Sequence, residues 1–95
     1  MNGDNQLDAI LEQRGSRYGL FKHHAALTQE LKRVFYKHMS EFNDESLRPS
    51  QQEAIDMIMH KLGRIGNGDP NYADSWIDIA GYAQLVANEL VGKTK

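Results

Sequence analysis

Apolar residues recur along most of this chain at the spacing of an amphipathic α-helix. Between positions 21 and 42 they gather on one side of a helical wheel, while the charged residues take the other side. The same period of about 3.6 residues continues over 50–65 and over 74–90. No stretch alternates apolar and polar residues as a β-strand does. The pattern therefore predicts three longer helices.

Capping residues indicate where two of these helices begin. Ser50 and Glu53 have the spacing of a capping box, so the helix that follows Pro49 is expected to begin at Ser50. Asp69–Pro70 is a second start signal, with aspartate as the cap and proline in the first turn. The last helix is therefore predicted to begin shortly after it, near residue 72 or 74, and to run to Leu90.

A shorter helix is predicted at the N-terminus, over Gln6–Gln13, with Gly15 as its stop. The segment Arg14–Gly19, with two glycines and two arginines, is predicted to be a loop. The fold class is then all-α, a small helical bundle of three longer helices plus a short N-terminal helix. A chain of 95 residues makes a single helical domain, 1–95, whose ends at 1–5 and 93–95 are expected to be frayed.

The last predicted helix carries apolar residues on more than one side. A broad arc contains Trp76, Ile79, Ala80, Ala83, Val86, Ala87 and Leu90. Tyr82 and Leu85 lie towards the opposite side of the same helix. A helix that is apolar on both sides in so small a domain typically packs against a second chain. The sequence therefore predicts a homodimer formed through the last two helices.

Two glycines inside predicted helices support the idea of close packing. Gly63 and Gly81 each cost about 1 kcal/mol relative to alanine in a helix. Close contact between helices, or the approach of a ligand, would offset that cost.

Composition and charge narrow the function classes. The net charge of −2 gives no field that would hold a phosphate backbone, which counts against general nucleic-acid binding. The absence of cysteine excludes disulfides and thiolate metal sites. No apolar run approaches the roughly 20 residues of a membrane span, and the polar N-terminus does not resemble a signal peptide. A cytoplasmic protein with no membrane partner is expected.

The densest group of charged residues lies in the C-terminal third. Asp74, Asp78 and Tyr82 follow one another at intervals of four, so they share a helical face. Lys61 and Arg64 lie three apart on the preceding helix, and across a short turn they can face the two carboxylates. One interpretation is a set of ion pairs that fixes the register of the two helices. The other is a polar pocket for a phosphate-bearing small molecule or a divalent ion.

Arg17 and Tyr18 are further candidates, because a loop with glycines and cations either turns a corner or contacts a phosphate. The four histidines lack the spacing of a zinc site and are interpreted as residues at the boundary of the core. No serine has the context of a nucleophile. The sequence thus indicates no catalytic residue and no metal ligand.

One signature links most of the chain after Arg14 to a known group of proteins. It consists of Lys61-x-x-Arg64-Ile65, Gly68-Asp69-Pro70 and Asp74-x-Trp76-x-Asp78-Ile79-Ala80-Gly81-Tyr82-Ala83, preceded by Arg17-Tyr18-Gly19-x-Phe21. This pattern resembles small phage and prophage proteins of unknown function, some of which are grouped loosely with nucleotide-modification-associated phage domains. More distantly, the chain is similar to the all-α nucleoside triphosphate pyrophosphohydrolases. Those enzymes hold Mg²⁺ with acidic pairs on two helices, whereas Lys61 and Arg64 stand here where acids would be required.

The resemblance and the lack of a catalytic set favour a non-enzymatic phage accessory protein in the host cytoplasm. It would bind a host or phage macromolecule, as an inhibitor of a host defence system (anti-CRISPR-like) would, and need no cofactor. The alternative is a nucleotide-binding or Mg²⁺-dependent nucleotide-hydrolysing domain that uses Arg17, Lys61, Arg64, Asp74 and Asp78. A purely structural dimer module is a third possibility.

Overall fold

A computed structural model describes the backbone of residues 2–93 and the side chains of residues 6–93. It contains α1 (Asn2–Tyr18), α2 (Phe21–Phe42), α3 (Pro49–Asn67) and α4 (Ala73–Leu90). No strand occurs between residues 2 and 93, so the predicted all-α class is confirmed. The frayed ends predicted at 1–5 and 93–95 lie mostly outside the described side chains.

The central element of the bundle is α3. α2 and α4 both pack on α3, and α1 contacts α2 and α3. Within residues 2–93, α2 and α4 do not contact each other, so they lie on different sides of α3. Each of them buries one face against α3, and apart from the contact of α1 with α2 no other helix among residues 2–93 packs on either of them. The helices therefore form an open layer and not a closed bundle, because α2 and α4 do not pack on each other.

The first helix is longer than its sequence pattern predicts. The helix continues through Gly15 to Tyr18, so the predicted stop at Gly15 and the predicted loop at Arg14–Gly19 are wrong. Glycine inside a helix costs only about 1 kcal/mol, which neighbouring turns can offset. The stop is Gly19, whose φ of 78° is the left-handed conformation that closes a helix. Its N–H donates to the carbonyl oxygen of Gly15 at 2.9 Å.

The start of α3 differs from the predicted capping box by two residues. The N-cap is Arg48, and its backbone N–H donates to the side-chain oxygen of Gln51 at 2.8 Å. Ser50 does not cap the helix, because its hydroxyl donates to a carboxylate oxygen of Glu89 at 2.8 Å. The serine therefore joins the start of α3 to the end of α4.

The start of α4 lies where it was predicted, but the cap does not. The helix begins at Ala73, after an extended Tyr72. Asp69 accepts the backbone N–H of Asn71 at 2.9 Å, which forms a local turn that precedes the helix. The predicted cap is thus a turn residue.

The core is thin and partly polar. The buried apolar residues are Ala54 and Met59, and the helix seams also bury His24 and Thr28. Apolar side chains on the periodic faces of α2 and α3 are exposed: Phe21, Val34, Phe35, Phe42 and Leu62. For α2 the reason is that it packs mainly on α3 and only slightly on α1, so it buries a narrow part of its apolar face.

The two mid-helix glycines have different surroundings. A Cβ at Gly63 would lie 2.6 Å from a ring carbon of the buried His24 and would overlap the Thr28 hydroxyl, so close contact between α2 and α3 requires glycine there. Nothing lies within 4 Å of a Cβ placed on Gly81. The predicted close packing is therefore present at Gly63, whereas none of the described residues packs against Gly81.

The molecule exposes more surface than its mass requires. The accessible surface is 7126 Å² for a 10.8 kDa chain, whereas a compact monomer of that mass exposes roughly 5,500 Å². The radius of gyration is 16.2 Å, against about 12 Å for a compact domain of this length. The open helix layer accounts for both differences.

Candidate functional site

The α1–α2 junction and the α3–α4 turn are tied together by backbone contacts. The N–H of Asp69 donates to the carbonyl oxygen of Arg17 at 2.6 Å. The side-chain amide of Asn67 donates to the carbonyl oxygen of Tyr18 at 2.8 Å. A Cβ at Gly68 would overlap the same two backbone residues, so glycine is required for this approach. The crossing fixes the end of α1 beside the end of α3.

Four side chains stack around this crossing. The guanidinium carbon of Arg17 lies 4.1 Å from the ring centre of Tyr72, and that of Arg64 lies 4.2 Å from the ring centre of Tyr18. The two tyrosine rings meet edge to face, with centres 6.1 Å apart. Such cation–π and aromatic contacts hold the guanidinium planes in fixed orientations.

The stacked residues border a polar cavity of about 300 Å³. Its wall also includes Arg14, so three guanidinium groups (Arg14, Arg17 and Arg64) surround one space. Among the side chains of residues 6–93, none of the three has a carboxylate oxygen within 4.0 Å. An excess of positive charge without internal counter-ions favours an anion in the cavity.

One carboxylate beside the stack, that of Asp74, accepts a hydrogen bond from Tyr72. The hydroxyl of Tyr72 donates to Oδ2 of Asp74 at 2.8 Å. This hydrogen bond, with some burial, raises the pKa of Tyr72 above its usual value. The Tyr72 hydroxyl therefore remains protonated and occupies one oxygen of Asp74.

A second, more apolar cavity of about 550 Å³ shares part of this wall. Arg14, Tyr18 and Arg64 border both spaces. The rest of the second cavity is lined by Leu11, Gly15, Gly19, Leu20, Phe21, His24 and His60. A charged cavity and an apolar one thus lie on the two sides of Tyr18 and Arg64.

Two histidines, His24 and His60, line the second cavity. His24 is buried, and its Nε2 lies 2.9 Å from the carbonyl oxygen of His60. Their rings meet edge to face with centres 4.6 Å apart. Burial, and to a smaller extent the positive charge of Arg64, lowers the pKa of His60 to about 4. His60 is therefore neutral at physiological pH.

The charged cluster predicted from the sequence is divided between two places. Nζ of Lys61 lies 3.0 Å from Oδ2 of Asp78, so one ion pair joins α3 to α4 as the spacing indicated. The lysine side chain is 10% exposed and the aspartate 46%. Arg64 makes no such pair, because it stacks on Tyr18, and Asp74 binds Tyr72. Of the ion pairs that the sequence allows here, the Lys61–Asp78 pair forms, whereas Arg64 lies over Tyr18 of α1.

Tyr82 lies away from the arginine-lined cavity. It lines a groove of about 300 Å³ between α3 and α4, together with Ala54 and Val86, and it borders a hollow on α4 together with Asp78. Tyr82 is therefore associated with the α3–α4 contact and not with the arginines.

Sequence reasoning missed two residues of the arginine-lined cavity, Arg14 and Tyr72. A signal for Arg14 was present, because it lies three residues before Arg17 and shares its face once α1 is continued through Gly15. Tyr72 joins the site only through the crossing at Gly68, which no local pattern encodes.

The outer face of α4 carries a charge only in its first turn. The helix has three charged residues: Asp74, which binds Tyr72, Asp78, which pairs with Lys61, and Glu89, which accepts from Ser50 and Arg48. Asp74 is exposed, and the other exposed positions of the helix are uncharged: Ala73, Trp76, Ile77, Ala80, Gly81, Ala83, Gln84, Leu85, Ala87 and Leu90. An exposed helix face without a charge over residues 76–90 is typical of an interface.

No group of three or more histidine, aspartate or glutamate side chains within the described range is arranged to hold a metal ion. Between residues 2 and 93, no helix combines the length and apolar character needed to cross a bilayer.

Comparison with known proteins gives a family and no activity. No curated protein and no solved structure matches the chain. A protein family defined as a domain of unknown function, DUF6378, matches residues 4–90. Because the match spans all four helices, the chain belongs to the DUF6378 family.

Proposed function

We propose that this protein acts without catalysis, by binding a host or phage macromolecule, and that it does so as a homodimer formed through the last two helices. The observation that carries the proposal is the outer face of α4 over residues 76–90, where every exposed position is uncharged. An isolated surface helix normally carries its charged residues on the solvent side. Here Asp78 and Glu89 contact groups of α3, and the exposed Asp74 lies in the first turn, where it accepts a hydrogen bond from Tyr72.

The size of the exposed surface supports a second copy as the occupant of this face. The excess over a compact monomer is roughly 1,600 Å² per chain. If a dimer buried only half of that excess on each subunit, the interface would total about 1,600 Å², the size of a standard specific interface. The excess surface of the molecule is thus large enough for the interface of a stable dimer.

The residues of the face are suited to packing against themselves. Ala80 and Gly81 lie near the middle of α4, where small side chains let two helices approach closely. Ile77 and Leu85 border a shallow, mostly apolar hollow of about 610 Å³ on one flank, with Asp78 at its wall. In a two-fold dimer each hollow would receive the partner helix, because the same patch serves both subunits.

A partner macromolecule would use apolar surface outside α4. Phe21, Val34 and Phe42 on α2 are each more than half exposed. Clusters of exposed aromatic and aliphatic side chains are the usual anchors of protein–protein interfaces. The resemblance to phage and prophage proteins supports a host or phage protein as this partner, including a component of a host defence system, and the host cytoplasm as the location.

Mg²⁺-dependent nucleotide hydrolysis, the alternative function, receives less support. It would require Asp74 and Asp78 to share a metal ion, but Asp74 binds Tyr72 and Asp78 pairs with Lys61. Binding of a nucleotide without hydrolysis is a separate question, because it depends on the arginines near α1.

Capture from host lysate with matched variants tests the binding function. Wild-type protein is expected to retain one stoichiometric partner. Phe42→Ser is expected to lose that partner while remaining dimeric, since Phe42 lies on α2. Lys37→Ser, a change of an exposed α2 residue that keeps the apolar surface, serves as the control. The proposal fails if no partner is retained in stoichiometric amount from infected or uninfected cells, or if Phe42→Ser and other changes of the α2 surface leave capture unchanged.

A further inference from the structure

We propose that the two cavities beside Tyr18 form one site for a nucleotide, with its phosphate among Arg14, Arg17 and Arg64 and its base in the adjoining apolar cavity. The site is separate from the outer face of α4. It therefore stands independently of the proposed dimer, and Phe21 is the residue that it shares with the proposed partner surface on α2.

The arrangement of the arginines favours a phosphate. A guanidinium that stacks on an aromatic ring uses its flat face, so its N–H groups remain free at the edge. Arg17 stacks on Tyr72 and Arg64 stacks on Tyr18, and both border the same cavity. Their edges can donate pairs of hydrogen bonds to phosphate oxygens, a geometry that a lysine cannot provide.

The cavity is already organised for an anion. The arginines are held by stacking and by the backbone crossing at Asn67–Asp69, so less rotamer freedom is lost when a ligand binds. Among residues 6–93, no carboxylate forms an ion pair with these guanidinium groups and competes with a ligand. The net charge of the whole chain is −2, so this local concentration of positive charge is specific to the site.

The second cavity fits a planar base. It is lined by rings from Tyr18, Phe21, His24 and His60 and has a volume of about 550 Å³. Together with the arginine-lined cavity of about 300 Å³, it falls within the usual range for small-molecule sites. Aromatic walls attract bases by stacking. Since Tyr18 and Arg64 border both cavities, one ligand can span them.

Titration calorimetry with four probes tests the assignment: adenosine, adenosine monophosphate, adenosine diphosphate and inorganic pyrophosphate, all without added metal. We expect both adenine nucleotides to bind more tightly than adenosine by a factor of ten or more. Binding is also expected to weaken as salt is raised, because it depends on charge. Guanine and pyrimidine nucleotides, measured in parallel, identify the base. Pyrophosphate that binds as tightly as the best nucleotide would overturn the assignment of the apolar cavity to a base.

Variants localise the site. Arg17→Gln and Arg64→Gln are each expected to weaken nucleotide binding about ten- to a hundredfold, as loss of a charged hydrogen bond does. Arg64→Lys should bind nucleotide more tightly than Arg64→Gln and less tightly than the wild type. Arg33→Gln, which removes an exposed arginine paired with Glu30 on α2, should bind as wild type. Helix content and melting temperature of each variant confirm that it folds.

The proposal is overturned if no nucleotide binds at millimolar concentration. It is also overturned if Arg17→Gln and Arg64→Gln bind as tightly as Arg33→Gln while remaining folded. A variant of the α4 face, Ala80→Glu, should bind nucleotide normally, which separates this site from dimer formation.

Discussion

At the scale of single residues, the clearest determinant of the fold is Gly63. It lies where α2 crosses α3, against the buried His24 and the hydroxyl of Thr28. The Thr28 hydroxyl has no hydrogen-bond partner among the described residues, so at this position α2 and α3 are joined by close packing, while the nearby His24 contacts the carbonyl oxygen of His60.

Gly63→Ala is therefore expected to destabilise the protein by about 1–3 kcal/mol, since overpacking costs more than the gain in helix propensity. Gly15→Ala is the matched control, because nothing lies within 4 Å of a Cβ there. That variant should gain up to about 1 kcal/mol. Urea denaturation of both variants measures the difference. Equal stabilities for the two variants would show that the helices do not cross at Gly63.

The ring of His60 links stability to pH. Its pKa is lowered in the folded protein to about 4, first by burial, while the unfolded chain titrates near 6.5. Between these values the unfolded state binds the extra proton, so stability falls as pH drops from about 6.5 to 4. The expected loss is on the order of 1–2 kcal/mol, less than the full shift implies because the ring is only partly buried.

Denaturation curves at pH 7, 5.5 and 4.5 measure this dependence. His60→Gln should show a smaller loss of stability over the same range, because it has no proton to gain. His38→Gln, on an exposed part of α2, is the control and should behave as wild type. A His60→Gln variant with an unchanged pH dependence would assign the effect to other groups.

At the scale of elements, the Lys61–Asp78 ion pair sets how α4 lies on α3. The lysine is nearly buried, while the aspartate is about half exposed. Asp78→Asn would leave the ammonium group without a counter-ion, at an expected cost of about 1–2 kcal/mol. Lys61→Met should cost less, because a methionine fills the same space without charge.

A double-mutant cycle in urea denaturation measures this coupling. The variant with both changes is expected to be more stable than Asp78→Asn alone. The same cycle on Lys37 and Glu41, an exposed pair within α2, should give a coupling of less than about 0.5 kcal/mol. An equally small coupling for Lys61 and Asp78 would contradict their role in positioning α4.

The helices themselves were predictable from sequence to different degrees. α2 is bounded by Phe21 and Phe42 as its period predicts, because a long amphipathic pattern outweighs local preferences. The sequence pattern wrongly predicted that α1 ends at Gly15. A glycine ends a helix when its backbone adopts the left-handed conformation, and in this chain that residue is Gly19. Periodicity also placed Phe21 and Phe42 on the apolar face of α2, although a helix that packs mainly on one neighbour buries only a narrow stripe.

The sequence predicted only the part of the candidate site that lies on two helices adjacent in the chain. The pairing of Lys61 with Asp78 follows from two adjacent helices and a short turn. The stacking of Arg64 on Tyr18 and of Arg17 on Tyr72 depends on how α1 crosses the α3–α4 turn. That crossing requires tertiary structure, because the residues are 46 or more positions apart in the chain.

At the scale of the whole molecule, the four helices form an open layer around α3 that exposes both outer faces. The layer leaves Trp76, at 52% exposure, and its apolar neighbours on α4 in water. Their transfer from water into an interface contributes about 25 cal/mol per Å² of apolar area. We propose that a second copy of this chain covers this surface, because it carries the same patch.

Sedimentation equilibrium at micromolar concentrations tests this claim most directly. We predict a mass of twice 10.8 kDa for the wild type and a single chain for Ala80→Glu, because a charge would enter the α4 face. Phe42→Glu, on the exposed surface of α2, should remain a dimer. A wild-type monomer at all concentrations up to about 100 μM (a Kd in the range of weak encounters), or a dimer that survives Ala80→Glu and dissociates with Phe42→Glu, would contradict the account.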